Sequence, residues 1–185
     1  MPRINVISAA LAATLAFAGL GAASPATAAE TYETGAKAAP AVHCAVEVQP
    51  VGTTTTPAQP VCFADRASVD RYLGAVGTAD ASTRTLAAAT TSLGTVYSDI
   101  NKGGSSLTFW GSSGCYGVLF GFSSLPSGWT GNISSAVGSH GCWASLYTTT
   151  GYGGLRLTCT PTCNGIGSLN DKVKSIVFRP TGTFG

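Results

Sequence analysis

Charge is scarce in this chain. Only 10% of its 185 residues are Asp, Glu, Lys or Arg, against roughly 25% in an average soluble domain. The formal net charge is +2. No basic run stands out, so the electrostatic footprint of a nucleic-acid partner is missing. Histidine is nearly lacking as well: His43 and His140 are the only two. Catalysis needs a convergent set of titratable groups, and neither histidine sits in a motif. The chain carries no GxSxG, HExxH or phosphate-loop pattern. The reading is therefore non-enzymatic, with no cofactor required. Aromatic residues make up 9% and mostly follow residue 96, so the core is expected in the C-terminal half.

Gly, Ser, Thr and Ala fill the space that charge leaves. The first 29 residues stand apart. Arg3 begins them, Val6 to Ala23 is nearly all apolar, Ser24-Pro25 breaks the run, and Ala26-Thr27-Ala28 is a small-x-small cleavage site. This is the pattern of a signal peptide rather than of a membrane anchor, with cleavage after Ala28 or Ala29. The expected product is secreted and extracellular, with no membrane contact after cleavage, and monomeric. Six cysteines remain beyond that point. An even count behind a signal peptide reads as disulfides. Proximity along the chain favours Cys44–Cys62, Cys115–Cys142 and Cys159–Cys163 among the possible connectivities. Zinc is disfavoured, because paired CxxC knuckles are missing.

Residues 30–92 form an N-terminal segment. Its start is polar and Ala-rich, without periodicity. Cys44 to Val48 and Val61 to Phe63 read as the two arms of an open hairpin, 44–63. Ser68 is placed to cap a short helix, 68–76, in which Val69, Tyr72, Leu73 and Val76 share one face. The Ala/Thr-rich stretch from Ala81 to Leu93 reads as a linker. The segment could be a removed pro-segment or a permanent cap. From residue 93 to 185 the pattern is all-β, with strands expected at Leu93–Ser98, Ser106–Trp110, Tyr116–Phe120, Ser134–Val137, Trp143–Thr148, Leu155–Cys159 and Lys174–Arg179. Gly103-Gly104 and Gly153-Gly154 are expected to supply positive φ at tight turns.

This half repeats itself. Tyr97 falls on Tyr147, Gly103-Gly104 on Gly153-Gly154, and Leu107-Thr108 on Leu157-Thr158. Trp129 to Val137 then matches Leu169 to Val177, with Ile133 on Val173 and Ser135 on Ser175. Two copies of one supersecondary unit sharing a core are implied. A tyrosine six residues ahead of a Gly-Gly turn, with Asn-Asp-x-Val-x-Ser-Ile closing the unit, resembles the βγ-crystallin Greek-key motif. Cys44 to Cys62 and the helix also resemble the leader of secreted microbial members, a branch related to small secreted metalloproteinase inhibitors. The resemblance implies an all-β, βγ-crystallin-like sandwich of two Greek keys, 93–138 and 142–180, preceded by the disulfide-tied hairpin and helix. It gives Tyr97 and Tyr147 a packing role over their hairpins, and Trp129 is expected to plug the core.

Many members of that family bind Ca²⁺ through paired turns, each pairing a carboxylate or amide of one turn with a hydroxyl of the other. That suits a hard cation wanting six to eight oxygens. Here Asn170-Asp171-Lys172-Val173-Lys174-Ser175 keeps the acidic positions but has Lys174 in place of the hydroxyl. Thr130-Gly131-Asn132-Ile133-Ser134-Ser135 keeps the hydroxyl but has Gly131 in place of the carboxylate. One degraded, weak site is expected, from Asp171, Ser134, Asn170 and the Lys172 backbone carbonyl. The alternative reading of Asn170-Asp171 is a plain strand-capping turn. A second function the resemblance allows is peptidase inhibition, with Thr160, Pro161 and Thr162 in the Cys159–Cys163 ring as the presented loop. A third is antimicrobial or cell-wall binding. The expected partners are accordingly a secreted protease or a cell-wall polysaccharide.

Overall fold

The computed structural model describes residues 39–54, 56–83 and 90–185. The expected signal peptide, residues 30–38 of the N-terminal segment and residues 84–89 of the linker lie outside the described residues. In chain order the elements are β1 (His43–Glu47), β2 (Val61–Phe63), α1 (Arg66–Thr83), β3 (Thr91–Tyr97), β4 (Ser106–Gly111), β5 (Phe120–Phe122), β6 (Ser135–Gly138), β7 (Cys142–Thr149), β8 (Gly153–Cys159), β9 (Thr162–Cys163) and β10 (Ser175–Pro180). Three 3-10 turns lie between them, at Ile100–Lys102, Thr150–Tyr152 and Gly167–Leu169.

Two sheets form. Sheet A runs β2-β1-β4-β3-β6-β9 and sheet B runs β5-β10-β7-β8. Number the strands of each repeat one to four, β3–β6 and β7–β10. Each sheet then holds the second, first and fourth strands of one repeat, flanked by the third strand of the other. The two repeats thus fold alike and exchange their third strands. Neither can close a sheet alone, which is why the duplicated sequence makes one core rather than two.

The core follows from period-two alternation along the strands. Leu107 and Phe109 of β4, Val96 of β3, Leu146 of β7, and Ile176 and Phe178 of β10 point between the sheets and are fully buried. Phe109 packs on Phe178 across the sandwich with ring centroids 5.2 Å apart. Burying each such side chain is worth about 1.5–3 kcal/mol. Trp129, Ile133, Leu169 and Val173 close one end, as expected for Trp129.

The N-terminal hairpin is built into sheet A. β1 pairs in parallel with β4, from His43↔Ser106 to Glu47↔Trp110, and Cys44 lies directly opposite Cys62. α1 then covers the outer face of the same sheet. Val69, Ala45 and Trp110 form a small buried cluster there, with Phe63, Tyr72, Leu73 and Val76 packed against it. The helical face expected from residues 69 to 76 is therefore used. The helix is longer than 68–76, however, and Ser68 is not its cap. Asp65 takes that role, accepting from the Ser68 backbone N–H at 2.8 Å and from its hydroxyl at 2.9 Å. These two bonds hold the Asp65 carboxyl below its ordinary pKa. An acidic side chain three residues before Ser68 satisfies the helix start better than Ser68 itself would.

Three further expectations are corrected. Residues 116–119 are not strand: Gly117 has φ +71°, Cys115 is tied to Cys142, and the resulting turn leaves Tyr116 almost wholly exposed. Only Phe120–Phe122 pairs, with β10. Second, one glycine of each pair takes positive φ, not both. Gly104 and Gly154 do (+67° and +78°), while Gly103 and Gly153 are extended. In the same two hairpins, Asn101 and Lys102 of one repeat and Gly151 and Tyr152 of the other are left-handed as well. Third, β9 lies in what reads as a loop, because a two-residue strand carries no periodicity.

All six cysteines are paired, as Cys44–Cys62, Cys115–Cys142 and Cys159–Cys163. The last bridge sits where the chain leaves sheet B at Cys159 and joins sheet A at Thr162. Among the described residues, no helix is long and apolar enough to cross a membrane.

Candidate functional site

The closing turns of the two repeats face each other at one end of the sandwich. The Gly131 N–H donates to the Val173 carbonyl at 2.9 Å, and the Asp171 N–H donates to the Ile133 carbonyl at 3.1 Å. The two bonds are the same bond in the two repeats. Both donors have positive φ, +72° at Gly131 and +55° at Asp171. An Asp tolerates that conformation better than most residues. At the strand start that follows, the Ser134 and Lys174 N–H groups donate to the Tyr97 and Tyr147 carbonyls at 2.9 and 2.8 Å.

A pair of buried hydroxyls fastens each closing turn to its own hairpin. Ser135 Oγ donates to the Asp99 carbonyl at 2.6 Å and accepts from the Lys102 N–H at 3.1 Å. Ser175 Oγ donates to the Thr149 carbonyl at 2.7 Å and accepts from the Tyr152 N–H at 3.0 Å. Each serine thereby satisfies backbone groups that the left-handed residues turn away from the ladder.

The expected ion ligands come together only in part. Ser134 Oγ lies 3.5 Å from Asp171 Oδ1, a spacing that two ligands of one Ca²⁺ at 2.3–2.6 Å can span. The other Asp171 oxygen accepts from the Asn170 amide at 2.6 Å, so Asn170 orients the carboxylate with its nitrogen. Lys172 belongs to the same turn, but its ammonium reaches the Ser168 carbonyl at 3.0 Å. Among the described residues, no group of three or more His, Cys, Asp or Glu side chains gathers. The donor set fits a hard cation with one carboxylate and one hydroxyl, and water would have to complete the shell. In the mate position Gly131 offers no side-chain oxygen and Lys174 adds charge of the wrong sign.

Thr160 and Pro161, from the proposed inhibitory ring, are exposed at the crossover, joined by a cis peptide. Thr162 is committed to β9 opposite Val137, and the Pro161 carbonyl accepts from the Gly138 N–H at 2.8 Å. The ring lies along the sheet edge.

Two features escaped the sequence reading. A cleft of about 80 Å³ opens between the 47–58 loop and β5, bounded by Glu47, Gln49, Val51, Gly121 and Tyr152. Gly121 is required there, since a Cβ would meet the Tyr152 hydroxyl at 2.5 Å. Burial raises the Tyr152 pKa, a Ser123 hydrogen bond opposes that rise, and Tyr147 adds to it. The other feature is the outer face of sheet B, where Trp143, Tyr147, Arg156 and Arg179 share one side by register. Strand alternation would have placed those four together, had β8 and β10 been paired with β7 in advance.

Solved structures similar to this chain include βγ-crystallin domains. One is a double mutant of a domain from Clostridium beijerinckii, 23% identical, covering 48% of this chain and 98% of its own, with a TM-score of 0.39. Another, from Flavobacterium johnsoniae, is 25% identical over 50% of this chain and 99% of its own, with a TM-score of 0.35. The N-terminal domain of Protein S is 21% identical over 48% and 96%, with a TM-score of 0.36. No protein-family model and no curated protein matches the chain. The strand order alone defines the class: a βγ-crystallin-like sandwich of two Greek keys with exchanged third strands.

Proposed function

We propose that this is a secreted, non-enzymatic βγ-crystallin-type binding or structural protein with one weak Ca²⁺ site at Asp171 and Ser134. The approach of Ser134 Oγ to Asp171 Oδ1 across the repeat interface carries the ion reading. Three disulfides support export to an oxidising compartment. When bound, the ion would add a cross-link between the two closing turns. Asp171 would supply the charge, Ser134 a neutral oxygen, and Asn170 would hold the carboxylate in place. A single carboxylate sets the affinity in the roughly millimolar range of extracellular modules.

Thermal melting in EDTA and in Ca²⁺ tests this. Ten times the dissociation constant stabilises by about 1.4 kcal/mol, which raises the melting temperature by about 3–6 °C. Asp171→Asn should abolish the rise. An unchanged melt at about 10 mM Ca²⁺ would end the ion reading. Protease inhibition through Thr160, Pro161 and Thr162 has less support, because Thr162 and the Pro161 carbonyl are engaged by the sheet. Cell-wall binding rests on no specific contact.

A further inference from the structure

A groove of about 160 Å³ runs between α1 and the outer face of sheet A, bounded by Arg66, Asp70, Thr95, Tyr97, Ser106 and Thr108. Strand alternation puts the four sheet residues on one side, because Val96 and Leu107 between them face the core. By register Thr95 lies opposite Thr108, and Tyr97 opposite Ser106. The same square recurs on sheet B, with Ser145 opposite Thr158 and Tyr147 opposite Arg156. The two squares differ most at one corner, where Arg156 takes the place of Ser106. On sheet B Ser145 is fully buried, whereas Thr95 and Thr108 both keep partial exposure. The short Ser106 side chain leaves the square on sheet A open to a ligand.

The floor of the groove carries three hydroxyls. Thr95 and Thr108 Oγ1 are 3.1 Å apart, so one donates to the other and the second O–H stays free. Ser106 Oγ lies 2.8 Å from His43 Nδ1 and can donate or accept according to the imidazole tautomer. The wall is α1. Arg66 sits over the Tyr97 ring, 4.9 Å from its centroid, and donates through Nη2 to the Lys102 carbonyl at 2.7 Å. Those contacts fix the guanidinium and leave it donors to spare. Asp70 follows four residues later on the same helix face and supplies acceptors. The Arg66 charge is offset by Asp70 and by Asp65 just ahead of the helix, so neither a lone anion nor a lone cation is favoured. A zwitterion would use the two charges and leave the hydroxyl floor idle. A polyol uses both, since each of its hydroxyls donates and accepts. The volume suits one small ring rather than a drug-sized ligand.

We propose that the groove between α1 and sheet A, at Arg66, Asp70, Thr95, Ser106 and Thr108, binds one neutral sugar ring. It shares no residue with the Ca²⁺ site. The test is run in EDTA, so failure of either reading leaves the other standing.

The probes are the methyl glycosides of glucose, galactose, mannose and N-acetylglucosamine, titrated into the full chain. The readout is the backbone ¹⁵N correlation spectrum. At least one glycoside should shift the amides of Thr95, Tyr97, Ser106 and Thr108 saturably, in the millimolar range expected of so small a ligand. The amides of Ser145, Tyr147, Arg156 and Thr158 should stay still, which makes the second repeat an internal control. Thr95→Val with Thr108→Val removes both partners of one hydrogen bond at nearly constant shape, so the fold is kept, and binding should weaken about tenfold. Asp70→Asn, at an exposed position, should weaken it by about three- to tenfold. That variant decides the matter if the valine pair melts well below the unaltered chain. Glycine and sodium sulfate are the charged controls and should leave the same amides unmoved. No saturation by any glycoside up to about 100 mM, equal shifts in both sheets, undiminished binding by Asp70→Asn, or tighter binding of glycine or sulfate would overturn the proposal.

Discussion

Ser135→Ala and Ser175→Ala should damage the protein equally. Both serines are fully buried. Each hydroxyl donates once and accepts once, to Asp99 and Lys102 backbone in the first repeat and to Thr149 and Tyr152 backbone in the second. Alanine leaves one backbone carbonyl and one N–H without those bonds in each case. An orphaned buried group costs about 1–3 kcal/mol, so each substitution should cost about 2–4 kcal/mol after partial relaxation. That corresponds to a fall in melting temperature of about 5–15 °C for a unit of this size. The assay is thermal and urea unfolding followed by circular dichroism, with disulfides intact. Ser134→Ala is the control. It is a neighbouring buried serine whose hydroxyl has only a 3.5 Å contact, too long for a strong bond, and it should cost under about 1 kcal/mol. If one of the two clasp serines can be replaced for less than about 0.5 kcal/mol while the other cannot, the repeats are not energetically equivalent.

Two glycine substitutions should move stability in opposite directions. Gly94→Ala places a Cβ 2.5 Å from both the Phe178 ring and the Val137 carbonyl, an overpacking that costs about 1–3 kcal/mol or more. Gly74→Ala, in α1 with nothing among the described residues within 4 Å, should instead stabilise by up to about 1 kcal/mol. Urea midpoints check both. His43 gives a pH dependence. Its pKa is lowered mainly by burial and then by Arg66, with Asp65 opposing, so the unfolded chain takes up a proton more readily than the folded one. The His43 contribution is then fully present above the ordinary value of 6.5 and is lost as pH falls below it. The melting temperature should drop between neutral and mildly acidic pH, and His43→Gln should flatten that drop.

The duplication was legible because its markers have fixed jobs. Ser135 and Ser175 each close a hairpin, Gly104 and Gly154 each take the left-handed region, and Tyr97 and Tyr147 are each buried against the units they belong to. The disulfide pairing was legible from proximity, since each bridge joins neighbouring segments. Long-range pairing was not. Nothing local in Phe120–Phe122 says that it leaves its own repeat for β10, and two residues at Thr162–Cys163 are too few to show a period. The parallel addition of β1 to β4 was hidden for the same reason, because register between distant strands is written in no single segment. Of the proposed ion site, Asp171 and Ser134 were singled out by the resemblance of their turns to a family motif, and their side-chain oxygens lie 3.5 Å apart. The arginine face was missed because Arg156 and Arg179 are far apart in sequence and become neighbours only through β7.

The exchange of third strands is what makes two half-units into one protein, and backbone nuclear Overhauser effects test it most directly. Contacts between Val137 and Thr162, and between Gly121 and Val177, should both appear, since those residues are paired across the exchanged edges. Spectra that instead join residues 120–122 to β4 or β6, and 162–163 to β8 or β10, would contradict the account.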